Sequence, residues 1–233
     1  MNTGMQKVII IGGGIIGLST AYYLKRSGFA VTVLDKGDII DNCSFRNAGM
    51  IVPSHFVPLA APGMVKQGIR WMFDSKSPFY VRPSFDTDLI SWGIKFLRSA
   101  NKTHVERSAM PLRDLSLLSK SLYQQLASQK GFDFGLENNG ILMLYKTPQA
   151  ADEESHLAEK ARQLGLDVEV LSAEQCRSLQ PQLQLDVAGA VHYRCDGHLM
   201  PHILMQQLAA WLEAAGVVIA LGSEVIKIEQ QHG

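Results

Sequence analysis

The chain has 233 residues with 46% hydrophobic residues, 20 Gly and 9 Pro, which suits an ordinary globular α/β protein of one large or two small domains. Lys plus Arg and Asp plus Glu stand at 22 each, so the net charge is zero and no nucleic acid or other acidic polymer is implied as a partner. Cys43, Cys176 and Cys195 are odd in number and lack CxxC spacing, which points away from a disulfide framework or a zinc site and towards a reducing cytoplasm, with no metal expected.

No stretch approaches the roughly 18 apolar residues that span a bilayer. The apolar run after Lys7 imitates a signal peptide, but a glycine turn, an amphipathic segment and a second apolar run follow it, as in a folded unit. Val8 to Ile11 is β-branched throughout, as expected of a parallel strand buried on both faces. Gly12 permits a sharp turn, Gly14 lets a pyrophosphate approach the backbone, and Gly17 lets the next helix pack closely on the sheet. Phosphates would then meet the helix N-terminus, where Ile15 and Ile16 supply N–H groups. Leu18, Ala21, Leu24 and Lys25 follow at helical spacing, and Ser27 and Gly28 stop the helix. Val31, Val33 and Leu34 form a second strand ended by Asp35, where a carboxylate accepts from ribose hydroxyls and repels a 2′-phosphate.

Lys36 to Asn42 is turn-rich, and Gly49, Pro53, Pro58, Pro62 and Gly63 keep the following stretch in an extended loop. Helices are expected over Pro62 to Phe73, over Ser84 to Ala100 with Ser84 or Asp86 as cap, and over Glu106 to Gln129. The last would carry Leu112, Leu115, Leu118, Leu122 and Leu126 on one face and Pro111 in its first turn. Asn138, Asn139 and Gly140 give a hairpin signal into a strand at Ile141 to Tyr145. A helix over Ala150 to Leu164, a strand at Val168 to Leu171, a capping box from Ser172 to Gln175 and a strand at Gly189 to Tyr193 complete an α+β segment. A helix from Pro201 to Gly216 and strands at Val217 to Leu221 and Glu224 to Glu229 close the chain, without repeats or low complexity. A doubly wound sheet needs more strands than these, so the chain reads as the N-terminal part of a longer protein.

The opening fingerprint serves NAD and FAD alike; the next loop separates them. Ser44, Phe45, Arg46, Asn47, Ala48 and Gly49, followed by Pro53, Ser54 and by Ala60, Ala61, Pro62, Gly63, resemble bacterial D-amino-acid dehydrogenases. More broadly the chain looks like the FAD-dependent amine oxidoreductases that include glycine oxidase, D-amino-acid oxidase and sarcosine oxidase. Val187 to Pro201 resembles the strand and turn that lead back into the FAD domain of that family. The resemblance implies a Rossmann-like FAD-binding domain built from separated segments, with an inserted α+β substrate domain and a missing C-terminal part. The segments would be 1–84, carrying the flavin loop, 85–195 for the insertion, and 196–233 for the return.

By motif position the family implies that Ile15 and Ile16 contact the pyrophosphate, and Asp35 and Lys36 the adenosine end. Cys43 and Ser44, with Asn47, Ala48, Gly49 and Met50, would lie along the pyrophosphate and flavin, and the backbone of Val225 would meet adenine. Gly12, Gly14 and Gly17 complete the expected cofactor set. The reaction implied is oxidative deamination of an amino acid, either a D-amino acid or a proline-like secondary amine, by hydride transfer from Cα to flavin N5, with oxygen or a quinone as electron acceptor. The residue that grips the substrate carboxylate would lie beyond Gly233.

No residue stands out as catalytic. His55 is a lone histidine in a Pro-rich loop and reads as structural or solvated before it reads as catalytic. His198 and Asp196 flank the re-entry turn and read first as a cap region before Pro201. Cys43 is a small residue in a tight loop rather than a flavin attachment point, and Trp71, Met72 and Phe73 read as core before they read as a membrane-touching patch. Peripheral contact with the inner face of the cytoplasmic membrane and a homo-oligomer stay open. The alternatives are a nicotinamide-dependent dehydrogenase, which would purify colourless, and a non-catalytic fragment, which would expose an apolar sheet edge where its missing half belongs.

Overall fold

The computed structural model describes residues 5–64, Gly68 and residues 86–230. Most of the helix expected over Pro62 to Phe73, the patch Trp71, Met72, Phe73 and the cap candidate Ser84 lie outside the described residues. In chain order the elements are β1 (Lys7–Ile11), α1 (Ile15–Arg26), β2 (Ala30–Leu34), β3 (Met50–Ile51), α2 (Thr87–Ser99), α3 (Lys102–Ala127) and β4 (Ile141–Tyr145). They continue as α4 (Pro148–Gln163), β5 (Val168–Ser172), α5 (Ala173–Leu179), β6 (Gly189–Tyr193), β7 (Gly197–His198), α6 (Pro201–Ala214) and β8 (Val218–Ala220).

The chain divides into two compact units. One comprises Met1–Ile51, Leu122–Asn138 and Gly197–Gly233, the other Val52–Ser121 and Asn139–Asp196. The first unit is thus built from separated segments, but its first segment ends at Ile51 rather than at residue 84, and residues 122–138 belong to it rather than to the second unit. The reason lies in its core. Leu126, Phe132 and Phe134 are buried in the same cluster as Leu18 and Tyr22 of α1, and Phe132 meets the Tyr22 ring edge-on at 6.0 Å. The Tyr22 hydroxyl donates to Gln129 Oε1 at 2.6 Å. Periodicity marks such a segment as helix and loop; it does not name the core it joins.

In this first unit β1, β2 and β8 form a parallel sheet in the order β1-β2-β8, with Ile9 opposite Thr32 and Thr32 opposite Val218. Helices α1 and α6 pack against each other over one face, burying Leu18, Ala21, Val31, Val33, Leu204, Leu208 and Leu212. Ala21 is small where the helix meets the sheet, as expected, and is fully buried. Helix α1 ends as the sequence predicts: Ser27 is its C-cap, and Phe29 N–H bonds back to Leu24 O at 3.1 Å across Gly28.

The expectation that β1 is buried on both faces fails. Ile9 and Ile11 are 66% and 55% exposed, and Val218 is 59% exposed in the row beside Ile9. Both packed helices cover the other face, so alternate side chains of the strand point away from any neighbour. The strand expected at Glu224–Glu229 is also absent, and residues 223–230 carry no regular structure. A strand needs an adjacent edge to satisfy its backbone groups. Ser223 N–H still bonds to Asp35 O, but among the described residues Glu224–Glu229 pairs with no strand, and Ile226 and Ile228 stand in solvent.

The second unit holds an antiparallel sheet in the order β4-β6-β5, with α4 and α5 packed on it. Tyr145, Ala158, Ala161, Val191 and Tyr193 form its main core, while Leu171, Cys176 and Ala190 form a smaller one. The capping box is present in full: Ser172 Oγ accepts from Gln175 N–H, and Gln175 Oε1 accepts from Ser172 N–H. Asp86 is the cap of α2, accepting from Asp88 N–H at 2.8 Å. The Asn138–Gly140 hairpin does not form, because Glu137 pairs instead with His198 through two backbone bonds of 2.8 and 2.9 Å.

Helix α3 starts earlier than predicted, because Asn101 Oδ1 accepts from His104 N–H at 2.9 Å and caps it. Pro111 therefore lies inside the helix rather than in its first turn. Its leucine stripe does not all face inward, since Leu115 and Leu118 are more than half exposed. The side turned to the unit carries cations instead: Arg113 donates to Leu164 O, and Lys120 to Cys195 O at 2.7 Å.

Two expectations follow. Ser172→Ala removes half of the capping box and is expected to lower stability by about 1 kcal/mol in denaturant unfolding, with no loss where the cap is immaterial. All three cysteines are free thiols: Cys43 exposed, Cys176 buried, Cys195 half-buried. Burial and the neighbouring Asp196 carboxylate push the Cys195 thiol up to about 12, and burial raises Cys176. A raised thiol pKa stabilises the fold below the ordinary thiol range, and that contribution fades as pH rises through the folded value. Native protein near pH 8 is expected to give one rapidly alkylated thiol, Cys43, and three after unfolding.

Candidate cofactor site

The three glycines of the fingerprint each meet a different constraint. Gly12 has φ +105°, a conformation that side chains rarely adopt. A Cβ on Gly17 would lie 1.8 Å from Gly12 O, so only glycine lets α1 approach the strand this closely. Gly14 is the N-cap of α1 with extended backbone and no side-chain cap; a Cβ there would lie 3.1 Å from Ser44 Oγ.

Asp35 ties the turn together. Its Oδ2 accepts from Gly13 N–H at 2.6 Å and its Oδ1 from Gly37 N–H at 2.8 Å. An ionised carboxylate has about four acceptor positions, so two remain for ribose hydroxyls. The bracing of the glycine turn is a role that the position of Asp35 at a strand end does not suggest.

Ser44 Oγ sits at the start of α1 and accepts from Ile15 N–H at 3.0 Å. The N–H groups of Ile16 and Gly17 have no acceptor within the helix. This end of the helix is a set of donors around a glycine, and the Ser44 oxygen marks where an anion oxygen fits. Its own proton stays available to a phosphate. The residues present fit a dinucleotide pyrophosphate.

The loop carrying Ser44 holds its own shape. Asn42 Oδ1 accepts from the N–H groups of Ser44 and Phe45, and Asn47 Oδ1 accepts from Gly49 N–H at 2.7 Å. Asn47 Nδ2 donates to the carbonyls of Cys43 and Ser44. Gly49 has φ +65°, and a Cβ on it would lie 2.0 Å from Leu199 O. That close approach begins the pairing of β3 with β7, Met50 opposite His198 and Ile51 opposite Gly197.

Ile15, Ser44, Asn47, Gly49 and Met50 come together around one concavity of about 180 Å³. Tyr123, Leu199 and Pro201 line it too; the β3-β7 pairing brings Leu199 and Pro201 there, and Tyr123 comes from the end of α3 that packs on this unit's core, contacts that local sequence patterns do not reveal. Ile16, Lys36, Cys43 and Ala48 are exposed beside these elements, Ile16 at 80%. Val225 is half-buried and lies on no strand.

In the second unit, Asp196 is fully buried, and it is not the helix cap that the sequence suggested. Its carboxylate accepts from Ser54 N–H at 3.0 Å, from Ser54 O–H at 2.6 Å and from the Cys195 thiol at 3.4 Å. Helix α6 is instead capped at Met200 with Pro201 in its first turn. His55 Nδ1 lies 3.2 Å from Ser54 Oγ, and the pair lines a cavity of about 150 Å³ with Met143, Glu154 and Tyr193. Burial and then Glu153 raise the Glu154 carboxyl; burial first and Glu154 next push the Tyr193 phenol up to about 12. A neighbouring, mostly apolar cavity of about 660 Å³ shares Phe56, Val57 and Leu157 with it. His198, in the first unit, is exposed with its Nε2 3.9 Å from Glu137 Oε2. Among the described residues no cluster of three or more His, Cys, Asp or Glu could hold a metal, and no helix is long and apolar enough to cross a membrane.

Residues 7–233 match the family model described as FAD dependent oxidoreductase. A D-amino acid dehydrogenase of Helicobacter pylori is 30% identical over 224 residues, covering 96% of this chain and 53% of that protein. Glycine oxidase from Geobacillus kaustophilus superposes with a TM-score of 0.66 at 22% identity, over 97% of this chain and 49% of that one. L-alpha-glycerophosphate oxidase from Mycoplasma pneumoniae, solved with FAD bound, gives 0.63 at 18% identity over 98% and 48%. The chain therefore spans about half the length of the curated relatives it matches. The nicotinamide alternative falls, since the match covers the whole fingerprint and the loop after it: the chain belongs to the FAD-dependent oxidoreductase family.

Proposed function

We propose that this chain holds FAD at the N-terminus of α1, and that the whole protein uses it to oxidise an amino acid, either a D-amino acid or a proline-like secondary amine. The observation that carries the reading is the donor set at Ile15 to Gly17, faced by Ser44 and braced by Asp35. The likeness to D-amino acid dehydrogenases and to glycine oxidase supports the amino-acid class. FAD, when bound, accepts the Cα hydride at N5; for a primary amine the resulting imino acid is hydrolysed to a 2-oxo acid and ammonia.

The protein's own work is orientation and charge. Ile15 and Ile16 N–H groups and the Ser44 hydroxyl fix the pyrophosphate, and Asp35 and Lys36 take the adenosine end. The self-braced loop from Cys43 to Met50 presents backbone along the flavin, with Ala48 and Gly49 small enough for close approach. Val225 contributes backbone to the adenine pocket once a neighbouring strand orders it. The open apolar row Ile9, Ile11 and Val218 supports covering elements in the whole protein, and the grip on the substrate carboxylate belongs to that remainder. The electron acceptor is oxygen or a quinone.

Gly14→Val adds a branched side chain whose Cβ alone would lie 3.1 Å from Ser44 Oγ, and overpacking of about 1–3 kcal/mol is expected to weaken FAD binding roughly 10- to 100-fold. Visible flavin absorption of the purified whole protein measures it, and a variant as yellow as the wild type would contradict the assignment. An amino-acid oxidation screen comparing oxygen with an artificial quinone tests the reaction: turnover of D-amino acids or proline is expected, and turnover of neither would overturn it.

A further inference from the structure

Two cavities of the second unit meet at Phe56, Val57 and Leu157, which line both. The larger, of about 660 Å³, is mostly apolar and lies within the range of about 300–1,000 Å³ that bound small molecules occupy. The smaller, of about 150 Å³, adds the polar groups of Ser54, His55, Glu154 and Tyr193. All of these residues belong to one compact unit, so the site is complete within it.

The polar end is acidic. Ser54 is spent on the buried Asp196 carboxylate, whereas Glu154 is half-buried and makes no hydrogen bond or ion pair among the described residues. Burial first and Glu153 next raise the Glu154 carboxyl, and burial, Glu154 and then Asp196 raise the Tyr193 phenol. No cation among the described residues relieves either group, so a counterion is what this end lacks. Phe56 and Tyr193, both buried, add aromatic rings, which attract cations. The cations bordering the larger cavity do not reverse the preference: Lys102 is paired with Glu106 at 3.7 Å, and His156 and Lys160 are exposed.

We propose that the second unit binds an amphipathic ammonium: a protonated alkylamine whose head rests on Glu154 beside Tyr193 and Phe56, and whose tail lies in the larger cavity. The head gains a charge-assisted hydrogen bond to a carboxylate that otherwise has no partner. The tail gains apolar burial, which grows with each methylene. An alcohol of the same length keeps the tail and loses the charge, and a carboxylate meets Glu154 as a like charge. Neither the flavin nor the glycine turn takes part, so the site stands independently of the amino-acid-oxidising reading.

The test is isothermal titration calorimetry of the whole protein near neutral pH with octylammonium, butylammonium, octanol and octanoate. Octylammonium is expected to bind a single site at least roughly 10-fold more tightly than butylammonium or octanol. Glu154→Gln is expected to weaken it roughly 10-fold, and Glu153→Gln, at the exposed neighbour, to leave it within about twofold. Unchanged circular dichroism shows that both variants fold. Octanol binding as tightly as octylammonium, or Glu154→Gln binding as the wild type does, overturns the proposal. So does octanoate binding more tightly than octylammonium, which would give the cavity to an anion beside Lys160.

Discussion

The approach of Gly17 to the carbonyl of Gly12 governs the cofactor site, because it sets where the first turn of α1 stands. A side chain at Gly17 would lie 1.8 Å from that carbonyl, so the helix could not stay where it is. With the helix seated, Leu18, Ala21 and Tyr22 reach the core, and the N–H groups of Ile15 to Gly17 face outward at a position fixed by packing. Asp35 then locks the turn from the end of β2, and Ser44 meets Ile15 from the next loop. An anion site of this kind is made of backbone, and its precision comes from the core beneath it.

The second constraint acts at Gly49. Its carbonyl accepts from Leu199 N–H at 2.9 Å, while its missing Cβ makes room for Leu199 O. Residues 150 apart in the chain thereby meet in the two short strands β3 and β7. The loop from Asn42 to Gly49 is held at one end by its own asparagines and at the other by this pairing. A segment that reads as irregular is in fact heavily bonded, so its shape is set before any ligand arrives.

How much of this is legible in the residues depends on the range of the interactions. Local devices were readable: the strand, turn and helix from Lys7 to Arg26, the stop at Gly28 and the capping box at Ser172 are set by neighbours a few residues apart. Errors gathered where partners are distant. Asp196 reads as a cap because it precedes Pro201, yet it is buried against Ser54, 142 residues away. Leu115 and Leu118 read as part of one apolar face by periodicity, yet both are more than half exposed, while Arg113 and Lys120 turn inward to carbonyls of the second unit. The strand expected around Val225 depends on a neighbouring edge that local sequence cannot supply, and among the described residues it has no ladder to join.

The central claim is that the pyrophosphate of FAD rests on the N-terminus of α1. A crystal structure of the whole protein with FAD measures this directly. The expected result is a pyrophosphate oxygen within about 3 Å of the Ile15 or Ile16 N–H and of Ser44 Oγ, with a ribose hydroxyl on Asp35. A pyrophosphate held elsewhere, with Ser44 still bonded to Ile15 alone, would contradict it.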